Sequence, residues 1–116
     1  MGRSSTTPAD WIPVGWARHT ALSSALALAT ATPAAGDTYA SLTDSRGRDV
    51  IPKHARISVE TQAVRYLTEG STPTATNGAP VAAGKVITLT NSPDAIFQLK
   101  IIEQSASAAI TVEYFQ

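Results

Sequence analysis

The chain contains no cysteine. Neither a disulfide framework nor a thiolate metal site can be built, and thiol usage gives no redox compartment. Charge is scarce too: Asp, Glu, Lys and Arg make up 16% of the residues, against roughly 25% in an ordinary soluble domain. The nine basic and nine acidic side chains cancel, so no long-range field draws in nucleic acid or an anionic membrane surface. A neutral surface of this kind favours association, and the composition suits a chain that works inside an assembly.

Histidine occurs twice. Neither His19 nor His54 has a carboxylate or second ligand at metal or general-base spacing, so both read as surface or interface residues. No glycine loop opens a helix to cradle phosphate. The residues therefore predict no catalytic group, no cofactor and no metal.

A long apolar span is missing as well. The run ALSSALALATATPAAG, from Ala21 to Gly36, imitates a signal segment but follows twenty residues that include Asp10, two prolines and two tryptophans. A secretory signal needs a short basic region there. The run is also too short and too rich in Ser and Thr to cross a bilayer.

What is present is a period of two. At 116 residues the chain fits one domain. In HARISVET, Ala55, Ile57, Val59 and Thr61 point one way and Arg56, Ser58 and Glu60 the other, which gives one face to a core and one to water. Val64 and Tyr66 continue in slipped phase, so Gln62 and Ala63 predict a bulge or a bend between sheets. KVITLT aligns Ile87 and Leu89, AIFQLKII aligns Ala95, Phe97, Leu99 and Ile101, and AAITVEYFQ aligns Ile110, Val112 and Tyr114. The expected inward set is Ile57, Val59, Ile87, Leu89, Phe97, Leu99, Ile110 and Val112. Ala17 to Thr32 fits strand or helix, and its threonines favour strand. The sequence ends just after the last run, which predicts a final residue tied into the sheet.

Turn signals separate these runs: Gly36-Asp37, Ser45-Arg46-Gly47, Glu69-Gly70, Asn77-Gly78, Ala83-Gly84, Asn91-Ser92-Pro93 and Ser105 to Ser107. Short strands divided this way, without intervening helices, predict an all-β fold, an antiparallel β-sandwich or jelly roll. The predicted organisation is an extended N-terminal arm over residues 1–16 and a single sandwich domain over 17–116.

The arm carries Trp11, Ile12, Val14 and Trp16, an apolar density unusual for a tail. Two readings stand: these residues pack on their own domain, or they anchor on a neighbouring subunit, where rigid aromatics are the usual hot spots. DSRGRD, from Asp44 to Asp49, reads as a polar turn with locally paired charges. With Lys53, His54 and Arg56 it could instead offer Arg46 and Arg48 to an acidic partner. Between Glu69 and Lys85 no charge occurs. Pro73, Pro80 and Asn77-Gly78 predict that this excursion is an ordered hairpin, which leaves Pro73, Thr74, Asn77 and Pro80 as candidate contact residues.

The stretch ARISVETQAVRYLTEGSTPTATNGAPVAAGKVITL, from Ala55 to Leu89, with Phe97 and ITVEYF from Ile110 to Phe115, resembles a group of small structural proteins of tailed-bacteriophage virions. The resemblance covers roughly the C-terminal half. It implies a compact β-sandwich on the outer capsid surface, a decoration or cement protein without catalytic residues, commonly trimeric and partnered by the major capsid protein. Nucleic acid and membrane are not expected partners. The alternatives are a neck, tail or baseplate adaptor of the particle, or a glycan-binding surface module in which Trp11, Trp16 or Tyr39 forms a stacking platform.

Overall fold

The structure, a computed structural model, describes residues 11–20, 22–28, 35–36, 42–44 and 46–116. Residues 1–10 of the expected arm, and Tyr39, lie outside the described residues. Nine strands are described: β1 (Pro13–His19), β2 (Leu26–Ala27), β3 (Ala35–Gly36), β4 (His54–Glu60), β5 (Val64–Leu67), β6 (Ala79–Val81), β7 (Val86–Leu89), β8 (Lys100–Glu103) and β9 (Ala109–Phe115). One short helix, α1 (Pro93–Gln98), precedes β8. The protein is mostly β, as expected.

The strands form two antiparallel sheets, of order β3-β1-β9-β4-β7 and β2-β8-β5-β6. Consecutive strands mostly switch sheets, and β5–β6 is the local hairpin. The alternation in β4 is complete: Ala55, Ile57 and Val59 are buried while His54, Arg56, Ser58 and Glu60 are half-buried on the other side. β9 follows the same rule, with Ile110, Val112 and Tyr114 turned inward. A single core cluster draws on both sheets, with Ile57, Ile110 and Val112 from the first and Val64 and Ile101 from the second.

The phase slip after Glu60 is the crossing from one sheet to the other. Thr61 has a φ of 56°, a left-handed conformation uncommon for a β-branched residue, and its hydroxyl donates to the Ser107 carbonyl at 2.8 Å. Gly47, Gly70, Gly78 and Gly84 all have positive φ, as do Asn91 and Ser107. The turn signals at Gly47, Gly70, Gly78, Gly84, Asn91 and Ser107 thus fall in turns, whereas Gly36 lies in β3 and Asp37 and Ser45 lie outside the described residues.

Three expectations are corrected. AIFQLKII is not one strand: Pro93 at the first helical turn, with Asp94 beside it, starts α1, where a missing N–H costs nothing and an acid favours the helix N-terminus. The helical turn carries Ile96 and Leu99 into the core and leaves Phe97 57% exposed. Phe97 is therefore not an inward residue. Second, the expected boundary at residue 16 falls inside β1, because residues 13–19 pair along β9. Proline suits the first residue of a strand. Third, Ala17 to Thr32 is not a single strand: Ala17–His19 belongs to β1, and Leu26–Ala27 is β2 of the other sheet, with a bend at Ser23 and Ser24 between them.

Candidate interface: a neutral hairpin and a grooved sheet face

The hairpin between Gly70 and Gly84 is held by a residue outside it. β5 and β6 pair with Arg65 opposite Pro80 and Tyr66 opposite Ala79, and Pro80 puts a residue without an N–H on this edge strand. Arg65 then reaches along the excursion: its Nε donates to the Ala75 carbonyl at 3.1 Å and its Nη1 to the Gly78 carbonyl at 2.9 Å. Charged donors make the stronger hydrogen bonds. Within the tip, the Thr74 hydroxyl accepts from the Asn77 N–H at 3.0 Å, while Thr74 and Asn77 also exchange backbone bonds of 2.9 and 3.3 Å.

Gly78 closes this arrangement. Its φ is 126°, and a Cβ there would lie 3.2 Å from Pro73 Cβ and 3.3 Å from both Arg65 Cβ and the Tyr66 carbonyl oxygen. Pro73 is buried beneath the excursion, so it props the loop. Thr74, Ala75, Thr76, Asn77 and Pro80 are exposed. The excursion's own residues therefore present methyls, hydroxyls and amides, and the ionised group beside them is the half-buried Arg65 that tethers them.

The second surface is the outward face of the five-stranded sheet. Register places Trp16 beside Glu113 and Arg18 beside Thr111 across β1–β9, then Arg56 beside Glu113 and Ser58 beside Thr111 across β4–β9. Arg56 donates from Nε to Glu113 Oε1 at 3.1 Å and also from Nη2 to the same oxygen. Arg18 and Glu60 pair two strands apart, with bonds of 3.3 and 3.2 Å, and the Thr111 hydroxyl donates to Glu60 at 2.6 Å. The Thr111 hydroxyl first, and the Arg18 guanidinium second, hold the Glu60 carboxyl below its usual range.

One end of this face is capped by aromatic rings. Trp11 is buried, stacked on His54 with ring centroids 4.1 Å apart and tilted against Phe115 at 5.2 Å. His54 accepts the Asn91 backbone N–H on Nδ1 at 2.8 Å. Of the candidate arm residues, Trp11 thus packs on its own domain and Val14 packs against the core. Ile12, which exchanges backbone bonds with Gln116, and Trp16 are exposed.

The DSRGRD segment is a local turn. Asp44 Oδ1 accepts the backbone N–H groups of Arg46 and Arg48 at 2.8 and 3.0 Å, and Arg48 Nε bonds Oδ2 at 3.0 Å. These bonds, the Arg48 N–H foremost, hold the Asp44 carboxyl below its usual range. Arg46 and Arg48 are exposed, but Arg48 is committed to Asp44.

His19 is where the sequence reading fails. The β1 alternation that turns Ala17 inward takes His19 with it, so it is 3% exposed rather than on the surface. Its Nε2 is buried without a hydrogen-bond partner, and desolvation lowers its pKa from the ordinary 6.5. The Arg65 tether was also missed, since in sequence it is only one more outward strand residue. Among the described residues no group of three His, Cys, Asp or Glu is placed to hold a metal, and no helix is long and apolar enough to cross a membrane. No known protein family, no characterised protein and no solved structure matches the chain.

Proposed function

We propose that the chain is a non-enzymatic structural protein of a tailed-phage particle, a capsid decoration protein that trimerises and bridges major capsid subunits on the outer surface of the head. The fold within this reading is a β-sandwich, supported by the single core cluster that both sheets share. The observation that carries the function is the hairpin. It is charge-free from Gly70 to Gly84, and Arg65 and Gly78 set its shape beforehand. A loop whose own residues carry no ion is desolvated at low cost, and a loop already ordered loses little entropy on docking. Three such loops on a trimer engage three sites together, so weak contacts add through effective concentration.

Quantitative mass spectrometry of purified particles tests the reading. About one copy per major capsid subunit is the expected result for a cement lattice. A handful of copies per particle would move the chain to the neck, tail or baseplate, and absence from particles would end the proposal.

A further inference from the structure

The outward face of the five-stranded sheet contains a depression of about 330 Å³, lined by Pro13, Gly15, Trp16, Thr111 and Glu113. Its origin is local. The β1 register shifts between Pro13 and Gly15, Val14 packs into the core, and Gly15 has no side chain. Among the described residues, the outer surface of β9 at Thr111 and Glu113 is therefore left uncovered between Pro13 and Trp16, which is 45% exposed at the rim.

We propose that this depression is a binding subsite for a single neutral sugar ring, held against the Trp16 indole. This rests on the groove alone and is independent of where the chain sits in a particle. A volume near the lower end of the about 300–1,000 Å³ found for small-molecule sites suits one ring.

The chemistry of the walls selects the class of ligand. Both Arg56 bonds to Glu113 end on Oε1, which leaves Oε2 to accept from a ligand hydroxyl. Thr111 spends its proton on Glu60 and keeps oxygen lone pairs, and the Trp16 indole N–H is a donor. A pyranose offers hydroxyls around its rim and a C–H face that fits an aromatic plane, whose face carries negative charge.

Two competitors fit less well. A cation would also favour the indole, but Arg18 and Arg56 stand on the same face, and they balance Glu60 and Glu113 charge for charge. Among the described residues the groove thus has no net negative charge to attract it. A purely apolar side chain would cover Glu113 and Thr111 without replacing their water, at the cost of unpaired polar atoms.

The test is an NMR titration of the full chain with methyl α- and β-glucoside, methyl galactoside, methyl mannoside and N-acetylglucosamine, and with tetramethylammonium as the cation control. The expected result is saturable shifts at the Gly15, Trp16, Thr111 and Glu113 amides and at the Trp16 indole N–H for at least one sugar. The expected Kd is of order 1 mM. Trp16→Ala should weaken this about tenfold or more at unchanged melting temperature, whereas Trp16→Phe should retain part of it. Absence of saturation with every sugar up to about 50 mM overturns the proposal. So do saturation by tetramethylammonium instead, or sugar-induced shifts that map away from β1 and β9.

Discussion

Two surfaces of this protein reach electrical neutrality by opposite routes. The Gly70–Gly84 hairpin has no charges to balance, whereas the outward face of the five-stranded sheet carries four among the described residues and pairs them, Arg18 with Glu60 and Arg56 with Glu113. A charge-free surface can lose its water cheaply but offers little direction. A paired one resists complete desolvation, since ions lose solvation that their attraction only partly repays. It keeps oriented donors and acceptors for a small ligand. The first surface suits broad protein docking, the second a defined polar contact.

The two are also stiffened differently, and the hairpin is the easier to break. Gly78 occupies a φ of 126° with neighbours at 3.2 and 3.3 Å. Gly78→Val should cost about 2–4 kcal/mol, combining backbone strain with displacement of Pro73 or the Tyr66 carbonyl. Chemical denaturation measures this, and a loss under about 0.5 kcal/mol would show that the excursion does not need this conformation.

Arg65→Met is expected to rank second, at about 1.5–3 kcal/mol, because two carbonyls lose a charged donor while the aliphatic stem is kept. Its signature is local. Amide exchange at Ala75 to Gly78 should accelerate more than exchange in β4 or β9. If all amides accelerate equally, the arginine supports the whole domain and not the hairpin in particular.

Acid separates the two surfaces further. No residue between Gly70 and Gly84 carries a titratable side chain. Behind the grooved face, His19 has a folded pKa below the ordinary 6.5 because of burial, so the unfolded chain binds its proton more tightly. The neutral ring's contribution is complete above about pH 6.5 and is lost as pH falls below it toward the folded pKa. Glu60, whose carboxyl is held below the ordinary 4.5, adds stability that is present above that value and lost as pH falls through its folded pKa. Melting temperature should therefore start to decline below about pH 6.5. His19→Leu should flatten this first limb, and because Nε2 has no partner to lose, it should not lower stability at pH 7.5. An unchanged limb in His19→Leu would assign the acid sensitivity elsewhere.

The legible parts of the molecule were those whose rule is local. β4 and β9 keep a strict period of two, and the slip at Gln62 and Ala63 marked the change of sheet because an inward face cannot slip without moving every side chain. Gly70, Gly78 and Asn91 marked turns because left-handed conformations favour these residues. What escaped depends on register between distant segments. Pro13 suggested an arm because proline excludes helix, yet the first residue of a strand tolerates it. Ile96 and Phe97 exchanged roles because Ile96 and Leu99 are neighbours on a helical turn and not on a strand. The groove needs Val14 turned inward at the register shift that sets Gly15 opposite Tyr114 and Trp16 opposite Glu113, and no single-strand pattern states that. His19 follows the inward phase of Ala17, which the ambiguity of Ala17 to Thr32 concealed.

The smallest expected effect is the one that tests how the sheet face achieves its neutrality. Arg56 and Glu113 are directly opposed across β4 and β9, with side chains 20% and 39% exposed. Their coupling lies in the range for partly solvated pairs, about 0.2–1 kcal/mol. A double-mutant cycle of Arg56→Met and Glu113→Gln should return that value in low salt and less in high salt, because exposed pairs are screened. The hairpin variants should show no salt dependence, since the tether ends on neutral carbonyls. A coupling near zero would mean that the arginines and glutamates are merely adjacent. The groove would then hold an uncompensated carboxylate, and the preference argued for an uncharged ligand over a cation would lose its basis.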